Sequence, residues 1–256
     1  VQIVFQQEAG FTKPLQKWRE EHTETLKGPI DVFWLQRLIY TGVLFSIILD
    51  DTLIGYCICT KNGELSEFFL AHPFINESSR ILSSFIEQMK VSCSVVSTRN
   101  PYLLSLCMDF AKSAMPVAYL FLDQDRGILP QKKHLFRLAV LEDRLWIENE
   151  TEYARTFQTD MANRLLYILS DSIHQLGYGT ISPNPLQPQY ADIGGWVNPL
   201  YRNKGLGREI ILHLKQICYE RSLIPTCGCD LENKPSKRML EQAGFYATDR
   251  MIKILF

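Results

Sequence analysis

The sequence has 256 residues, long for one ordinary domain and comfortable for two of about 125. Apolar residues make up 46% and charged residues 21%, which excludes a disordered or fibrous chain. With 27 basic and 28 acidic side chains the net charge is −1, so there is no overall pull toward nucleic acid or an anionic membrane.

In chain order, the first 40 residues read as helical, with a polar start at Pro14–Glu21 and a more apolar segment, Val32–Ile39, after Gly28-Pro29. Strands follow at Val43–Leu49, Leu53–Thr60 and Leu65–Leu70, broken by turns at Asp50-Asp51 and Lys61-Asn62-Gly63. Val43–Leu49 is among the richest apolar runs and is far short of the roughly 18 residues a membrane span needs. Arg80–Met89 carries a helical stripe of Ile81, Leu82, Phe85, Ile86 and Met89. Ser92–Ser97 reads as a strand, Pro101–Ala111 as a helix and Val117–Leu122 as a strand.

A polar stretch with Gly and Pro, from Asp123 to Lys133, is the best boundary, dividing the chain into 1–128 and 129–256. Beyond it a similar order resumes. Phe136–Val140 reads as a strand, Glu142–Glu148 and Glu152–Met161 as helices, and Leu165–Leu169 and Gly177–Ser182 as strands. Three prolines make 182–189 an irregular connection. Tyr190–Val197 then reads as a strand, Gly205–Arg221 as a helix, Thr226–Asp230 as a strand, Lys234–Gln242 as a helix and Met251–Phe256 as a strand. The expected fold is α/β: two copies of one architecture in tandem, each a mixed, mostly antiparallel sheet flanked by helices.

Seven cysteines are present, and Cys57/Cys59 and Cys227/Cys229 each sit two apart inside apolar segments. On a strand that spacing means one face, as expected of buried thiols. Neither pair has zinc-site spacing and no His lies near, so no metal is expected. Free thiols point to a reducing, cytoplasmic setting. No signal-peptide pattern opens the sequence, which begins at Val1 rather than Met, as a trimmed N-terminus would leave it. The four tryptophans, Trp18, Trp34, Trp146 and Trp196, suit core or cleft walls better than a base-stacking platform.

The most informative stretch is Asp192–Arg208. A strand runs into a turn holding Arg202, Lys204 and Arg208, with Gly205 and Gly207 inside it and a helix following at once. That helix puts Leu206, Ile210, Ile211, Leu214, Ile217 and Cys218 on one face. Glycines there let a ligand approach the backbone, and the unpaired first-turn N–H groups, the helix dipole and three cations suit a diphosphate. The same residues also suit an ordinary solvated basic turn. The dinucleotide pattern G-x-G-x-x-G fails at Ile210, and no Gly-Lys-Ser/Thr is present.

Arg202-Asn203-Lys204-Gly205-Leu206-Gly207 resembles the R/Q-x-x-G-x-G/A loop of the GNAT superfamily of acyl-CoA-dependent N-acetyltransferases. Asn233-Lys234-Pro235-Ser236, then Gly244-Phe245, is similar to its second motif, N-x-x-S/A followed by G-F. The close match covers Asp192–Phe245, and the element order extends it to roughly 135–256. The resemblance implies that Arg202, Asn203, Lys204, Gly205, Leu206, Gly207 and Arg208 hold the pyrophosphate of acetyl-CoA. It also implies that the backbone around Trp196 and Val197 meets the pantetheine, and that Asn233 and Ser236 line the thiol end.

An alkylamine of pKa about 10.4 loses its proton at pH 7 at a cost of roughly 4.6 kcal/mol, so a base is useful. Several family members carry an acidic residue where Asp192 stands, which implies a base acting through water. Many also carry a proton-donating Tyr seven positions after the motif Asn; here that position is Leu240. A thiolate leaves at a cost of only roughly 2 kcal/mol, so Ser236 or water suffices as acid.

The first half resembles the same core, but Ala71–Ser79, where the phosphate loop would be, lacks glycine and carries Glu77. It is expected to be a degenerate copy that binds no coenzyme. Residues 1–130 carry a net −3 and 131–256 a net +2, a split that would suit a cationic amine. The resemblance thus implies an N-acyltransferase moving an acetyl group to a small-molecule or peptide amine in a ternary complex. The chain is expected to be a monomer or weak dimer without nucleic-acid or membrane partners. A non-catalytic acyl-CoA sensor or scaffold is the alternative.

Overall fold

The computed structural model describes residues 2–33, 35, 41–131, 133–150 and 157–256. Trp34, most of the helix read at Val32–Ile39, and 152–156 of the helix read at Glu152–Met161 lie outside these. The chain forms two compact units, Val1–Leu120 with Thr248–Phe256, and Phe121–Ala247. The polar stretch 123–133 falls within the second unit, and the end of the chain returns to the first.

The first unit contains β1 (Ile3–Glu8), α1 (Lys13–Thr25), β2 (Gly42–Leu49), β3 (Thr52–Thr60), β4 (Glu64–Leu70), α2 (Ser78–Met89), β5 (Cys93–Ser97), α3 (Pro101–Met108) and most of β6 (Ser113–Asp123). β1 through β4 are antiparallel neighbours, β4 and β5 are parallel, and Met251–Leu255 pairs antiparallel with β5. β1 corrects the helical reading of the first 40 residues. With Gln6 and Gln7 it has little strand signal of its own, and β2 supplies its hydrogen bonds. On α2, Ile81, Leu82 and Phe85 are buried, and the Phe85 ring meets Phe5 at 4.9 Å and Phe45 at 5.6 Å. On the opposite face Leu15, Leu44, Tyr56 and Ile58 pack with Trp18 and Phe69.

Below α1 lies a buried polar chain whose donors can be fully assigned. Arg19 grips Glu67 at 2.7 and 3.2 Å, and the Tyr56 hydroxyl donates to Glu67 at 3.1 Å. The Tyr56 oxygen therefore accepts from His22 Nδ1 at 3.0 Å, leaving His22 Nε2 to accept from Asn100 Nδ2 at 3.1 Å. His22 is thus neutral; burial pushes its pKa down, Glu67 pulls the other way and Arg19 adds to the depression. A second proton would sit against the Asn100 amide, whose oxygen is committed to the Leu103 N–H at the start of α3. A depressed histidine pKa means stability that is complete above about pH 6.5 and lost as pH falls toward the folded-state value. Thermal unfolding at pH 5 to 7.5 should show an acid loss approaching about 1.4 kcal/mol per pH unit from this group. His22→Gln should flatten that dependence; an identical profile in both proteins would exclude His22 as its source.

The second unit contains β7 (Leu135–Leu138), α4 (Arg144–Glu150), α5 (Phe157–Ala162), β8 (Leu166–Ser170), β9 (Gln175–Pro183), β10 (Tyr190–Val197), α6 (Leu206–Glu220), β11 (Ile224–Asp230), α7 (Lys234–Gln242) and the start of β12 (Phe245–Leu255). β7, β8, β9 and β10 are antiparallel in that order, and β11 joins β10 in parallel. α6 lies close against β9 and β10 because glycines underlie it. A Cβ on Gly179 or Gly195 would stand 2.7 or 2.9 Å from Ile210 Cγ2. The entry to α4 is fixed by Asp143, which accepts from Arg137 at 2.7 and 2.8 Å and from the Val140 N–H at 2.8 Å. Burial alone would raise the Asp143 pKa; these donors, with Gln175, carry it below the usual carboxylate range.

The buried face of α6 is wider than expected, taking in Glu209, Leu212 and Lys215 as well. Lys215 is buried while Ile217 is only half-buried. Lys215 Nζ lies 2.7 Å from Asp123 Oδ1 and donates to the carbonyls of Asp125 and Ala243 at 2.8 and 2.7 Å.

Candidate active site

β10 and β11 are paired only over Tyr190–Asp192 and Ile224–Thr226. Past that point they part, so Ile193–Val197 present an edge with no strand partner among the described residues on the side away from β9. An extended ligand can pair with such an edge as an added strand does. Gly194, Gly195 and Gly228 flank the opening without side chains.

At the wide end of this fork the chain turns into α6. Asn198 caps a short 3₁₀ turn, Pro199–Tyr201, by accepting from the Leu200 N–H at 3.0 Å. Asn203 and Gly205 then take positive φ, 61° and 81°. The first helical bond runs from the Glu209 N–H to Gly205 O at 3.1 Å. The N–H groups of Leu206, Gly207 and Arg208 precede it and have no acceptor within the helix. A Cβ on Gly205 would meet nothing within 4 Å. This open cradle at a positive helix end fits a diphosphate.

The cations are arranged less uniformly than the spacing suggests. Arg202 is exposed and donates through Nε to Val197 O at 3.1 Å, tying the loop to the end of β10. Lys204 Nζ stands 5.3 Å from the Tyr201 ring centroid, over its face. Arg208 Nε instead donates to Gln242 O, at 2.9 Å, at the far end of α7, so its backbone N–H rather than its guanidinium faces the cradle. Asn233 is spent on a cap, accepting from the Ser236 N–H at 3.1 Å. The Ser236 side chain hydrogen-bonds the Cys229 thiol; burial raises that thiol's pKa and this bond opposes the rise. Leu240, where a tyrosine acid would stand, is buried in the packing of α7.

Alternation along β10 separates two faces. Ala191 and Ile193 are buried and, with Gly195, lie on the α6 side. Asp192, Gly194 and Trp196 lie on the other side and are half-buried. Opposite them on β9 stand Ser182, Thr180 and Tyr178, also half-buried. Trp196 stacks on Tyr178 with centroids 5.7 Å apart and meets Trp146 of α4 edge-on at 6.0 Å. Sequence reading singled out Asp192 and Trp196 but missed Tyr178, Thr180 and Ser182. The period-2 pattern of β9 was the signal that could have found them.

The first unit repeats the fork but not the cradle. β4 and β5 pair only at Glu64–Leu65 and Cys93–Ser94. The chain then forms a 3₁₀ turn, His72–Glu77, that runs straight into α2. The Ser78 N–H is taken by Ile75 O, and Glu77, the cap position, pairs with Arg80 at 2.7 Å. A second likeness between the halves escaped sequence reading. Asn100 caps α3 through the Leu103 N–H at 3.1 Å just as Asn233 caps α7, each with a proline in the first turn.

Residues 12–124 match the family model described as an acetyltransferase (GNAT) domain, and residues 133–245 match that of the acetyltransferase (GNAT) family. The chain belongs to the GNAT acetyltransferases and carries two such domains in tandem. A GNAT-family acetyltransferase from Colwellia psychrerythraea is similar over 100% of both chains, with TM-score 0.87 and 16% identity. A tandem GNAT protein from the clavulanic acid biosynthesis pathway matches with TM-score 0.66 and 13% identity, over 100% of this chain and 98% of that one. A GCN5-related N-acetyltransferase from Sphaerobacter thermophilus gives 0.65 and 12%, over 99% and 95%. At these identities the likeness is one of fold. A search of curated protein sequences finds no match. No helix among the described residues is long and apolar enough to cross a membrane, and no cluster of three metal-ligating side chains occurs among them.

Proposed function

We infer that the second unit transfers an acetyl group from acetyl-CoA to a primary amine of a small molecule or peptide, by direct attack in a ternary complex. The observation that carries this reading is the junction of the β10/β11 fork with the open, glycine-started N-terminus of α6. Backbone N–H groups of 203–208, with Arg202 and Lys204, would hold the pyrophosphate, and the free edge at Trp196 and Val197 would take the pantetheine. Asn233 would act by holding the start of α7, and Ser236 would stand near the departing thiol. The amine nitrogen forms a bond to the acyl carbon as the C–S bond breaks and the thiolate leaves. The ammonium proton passes to Asp192 through water, the same base reached from the sequence. One coenzyme per chain is expected, because the first unit's loop is closed by its 3₁₀ turn.

The test is release of free thiol from acetyl-CoA across a panel of amines. Asp192→Asn should lower kcat/KM about 100-fold at pH 7. The deficit should shrink toward pH 9, where more of the amine is already unprotonated. Equal profiles from pH 6 to 9 would remove Asp192 from the mechanism. Buried Leu240 favours a second reading, an acyl-CoA sensor without turnover; tight acetyl-CoA binding with no thiol release for any amine would establish it.

A further inference from the structure

We propose that the acceptor is a primary amine joined by a short spacer to an aromatic ring, and that Trp146, Tyr178 and Trp196 select it. This rests on the acyltransferase reading above and specifies its acceptor. The face of β9 and β10 turned away from α6 grades from polar to aromatic. Asp192 and Ser182 stand at the narrow end of the fork, Gly194 and Thr180 in the middle, and Trp196 and Tyr178 at the wide end. All six are half-buried, and Tyr178, with Trp146, has its other side packed against the buried cluster of Ala139, Ile147, Leu166 and Ile168, which holds the aromatic end in place. In its middle a Cβ on Gly194 would have, among the described residues and apart from its chain neighbours, only Thr180 Oγ1 within 4 Å, at 3.6 Å.

The aromatic end is a continuous wall, with Tyr178 stacked on Trp196 and Trp146 edge-on to it. A flat apolar ring covers such a wall favourably, whereas a hydroxyalkyl or second ammonium group would lose hydration there without a partner. Asp192 supplies the opposite charge for the ammonium. Four residues of extended strand separate Asp192 from Trp196, about 13 Å. That span accommodates a bridging water at the carboxylate, an amine, a spacer of two or three carbons lying over Gly194, and a ring on the wall. Benzylamine, with one carbon, is too short to reach both ends.

The experiment compares kcat/KM for 3-phenylpropylamine, benzylamine, ethanolamine and putrescine, with acetyl-CoA binding followed separately by calorimetry. 3-Phenylpropylamine should exceed ethanolamine and putrescine by at least about 10-fold, from burial of the ring. Benzylamine should fall between. Trp146→Ala should lower the ratio of 3-phenylpropylamine to ethanolamine by about 10-fold. That ratio is independent of how much of the variant folds. Tyr178→Ser, which leaves both tryptophans in place, should move it in the same direction. Retained acetyl-CoA binding and turnover with ethanolamine or putrescine as good as the aryl substrate would overturn the acceptor proposal and leave the acyltransferase reading standing. Absence of acetyl-CoA binding would overturn both. A ratio unmoved by either variant would remove the aromatic wall as its source.

Discussion

Lys215→Met should destabilise the second unit by about 3–5 kcal/mol, a fall in its unfolding midpoint of roughly 10–20 °C. Lys215 is 1% exposed and Asp123 3%, so neither charge has water to fall back on. The 2.7 Å approach of Nζ to Asp123 is an ion pair rather than a directed hydrogen bond, and the Asp125 and Ala243 carbonyls complete the ammonium's partners. The Phe245 ring lies 4.9 Å away and adds a cation–π contact. Among the described residues, removing the ammonium leaves the buried carboxylate the Tyr219 hydroxyl alone, and takes the lysine donor from the Asp125 and Ala243 carbonyls. Tyr219 remains the proton donor of that pair, because burial and the Asp123 carboxylate push its phenol pKa well up. Adding Asp123→Asn to Lys215→Met should restore about 1–2 kcal/mol by removing the unpaired charge. Urea and thermal unfolding of the four proteins form the double-mutant cycle. A loss under about 1 kcal/mol for Lys215→Met would show that the pair contributes no more than a surface salt bridge.

The second large effect concerns binding rather than stability. Gly205→Val should weaken acetyl-CoA binding about 100-fold, the equivalent of one or two charge-assisted hydrogen bonds. At φ 81° a β-branched residue is strained, by about 1–2 kcal/mol, so the chain would relieve it by reshaping the turn. The N–H groups ahead of Glu209 would then no longer converge. Because a Cβ there meets nothing within 4 Å, the loss of stability should stay within that strain. Gly10→Ala, at another open glycine in the first unit, should leave affinity unchanged. Calorimetry should give one site per chain for the parent protein; two sites, or an unchanged Kd for Gly205→Val, would place the coenzyme elsewhere.

What was legible in the sequence follows from how local its physics is. β10 and α7 have the bounds read for them, and α6 differs by one residue at each end. Glycines and the Asn caps mark their ends within the segment itself. The open turn at the start of α6 was readable for the same reason, since Gly205, the helix start and the flanking cations are neighbours in the chain. Arg208 was not. Its guanidinium is held by Gln242 O, an acceptor brought beside it only when α6 and α7 pack. Lys215 was not among the residues read as the buried stripe, and it lies inside because Asp123 and Asp125 from one segment and Ala243 from another converge on it. β1 and the pairing of Met251–Leu255 with β5 depend on partners far along the chain, and no periodicity within those segments announces them.

Length first suggested two domains, and two spaced motifs with one glycine-started loop suggested one fold used twice with a single coenzyme site. The repeated fold belongs to the sequence by itself, because helix starts, strand alternation and turn glycines are decided over a few residues. Tertiary structure alone decided that the last nine residues belong to the first unit. It also decided that a lysine and an aspartate are buried together, and that Trp146, Tyr178 and Trp196 form one wall on the face of Asp192. Each of these needs a backbone edge or a charge partner from a distant segment, and only pairing and packing bring such segments into register.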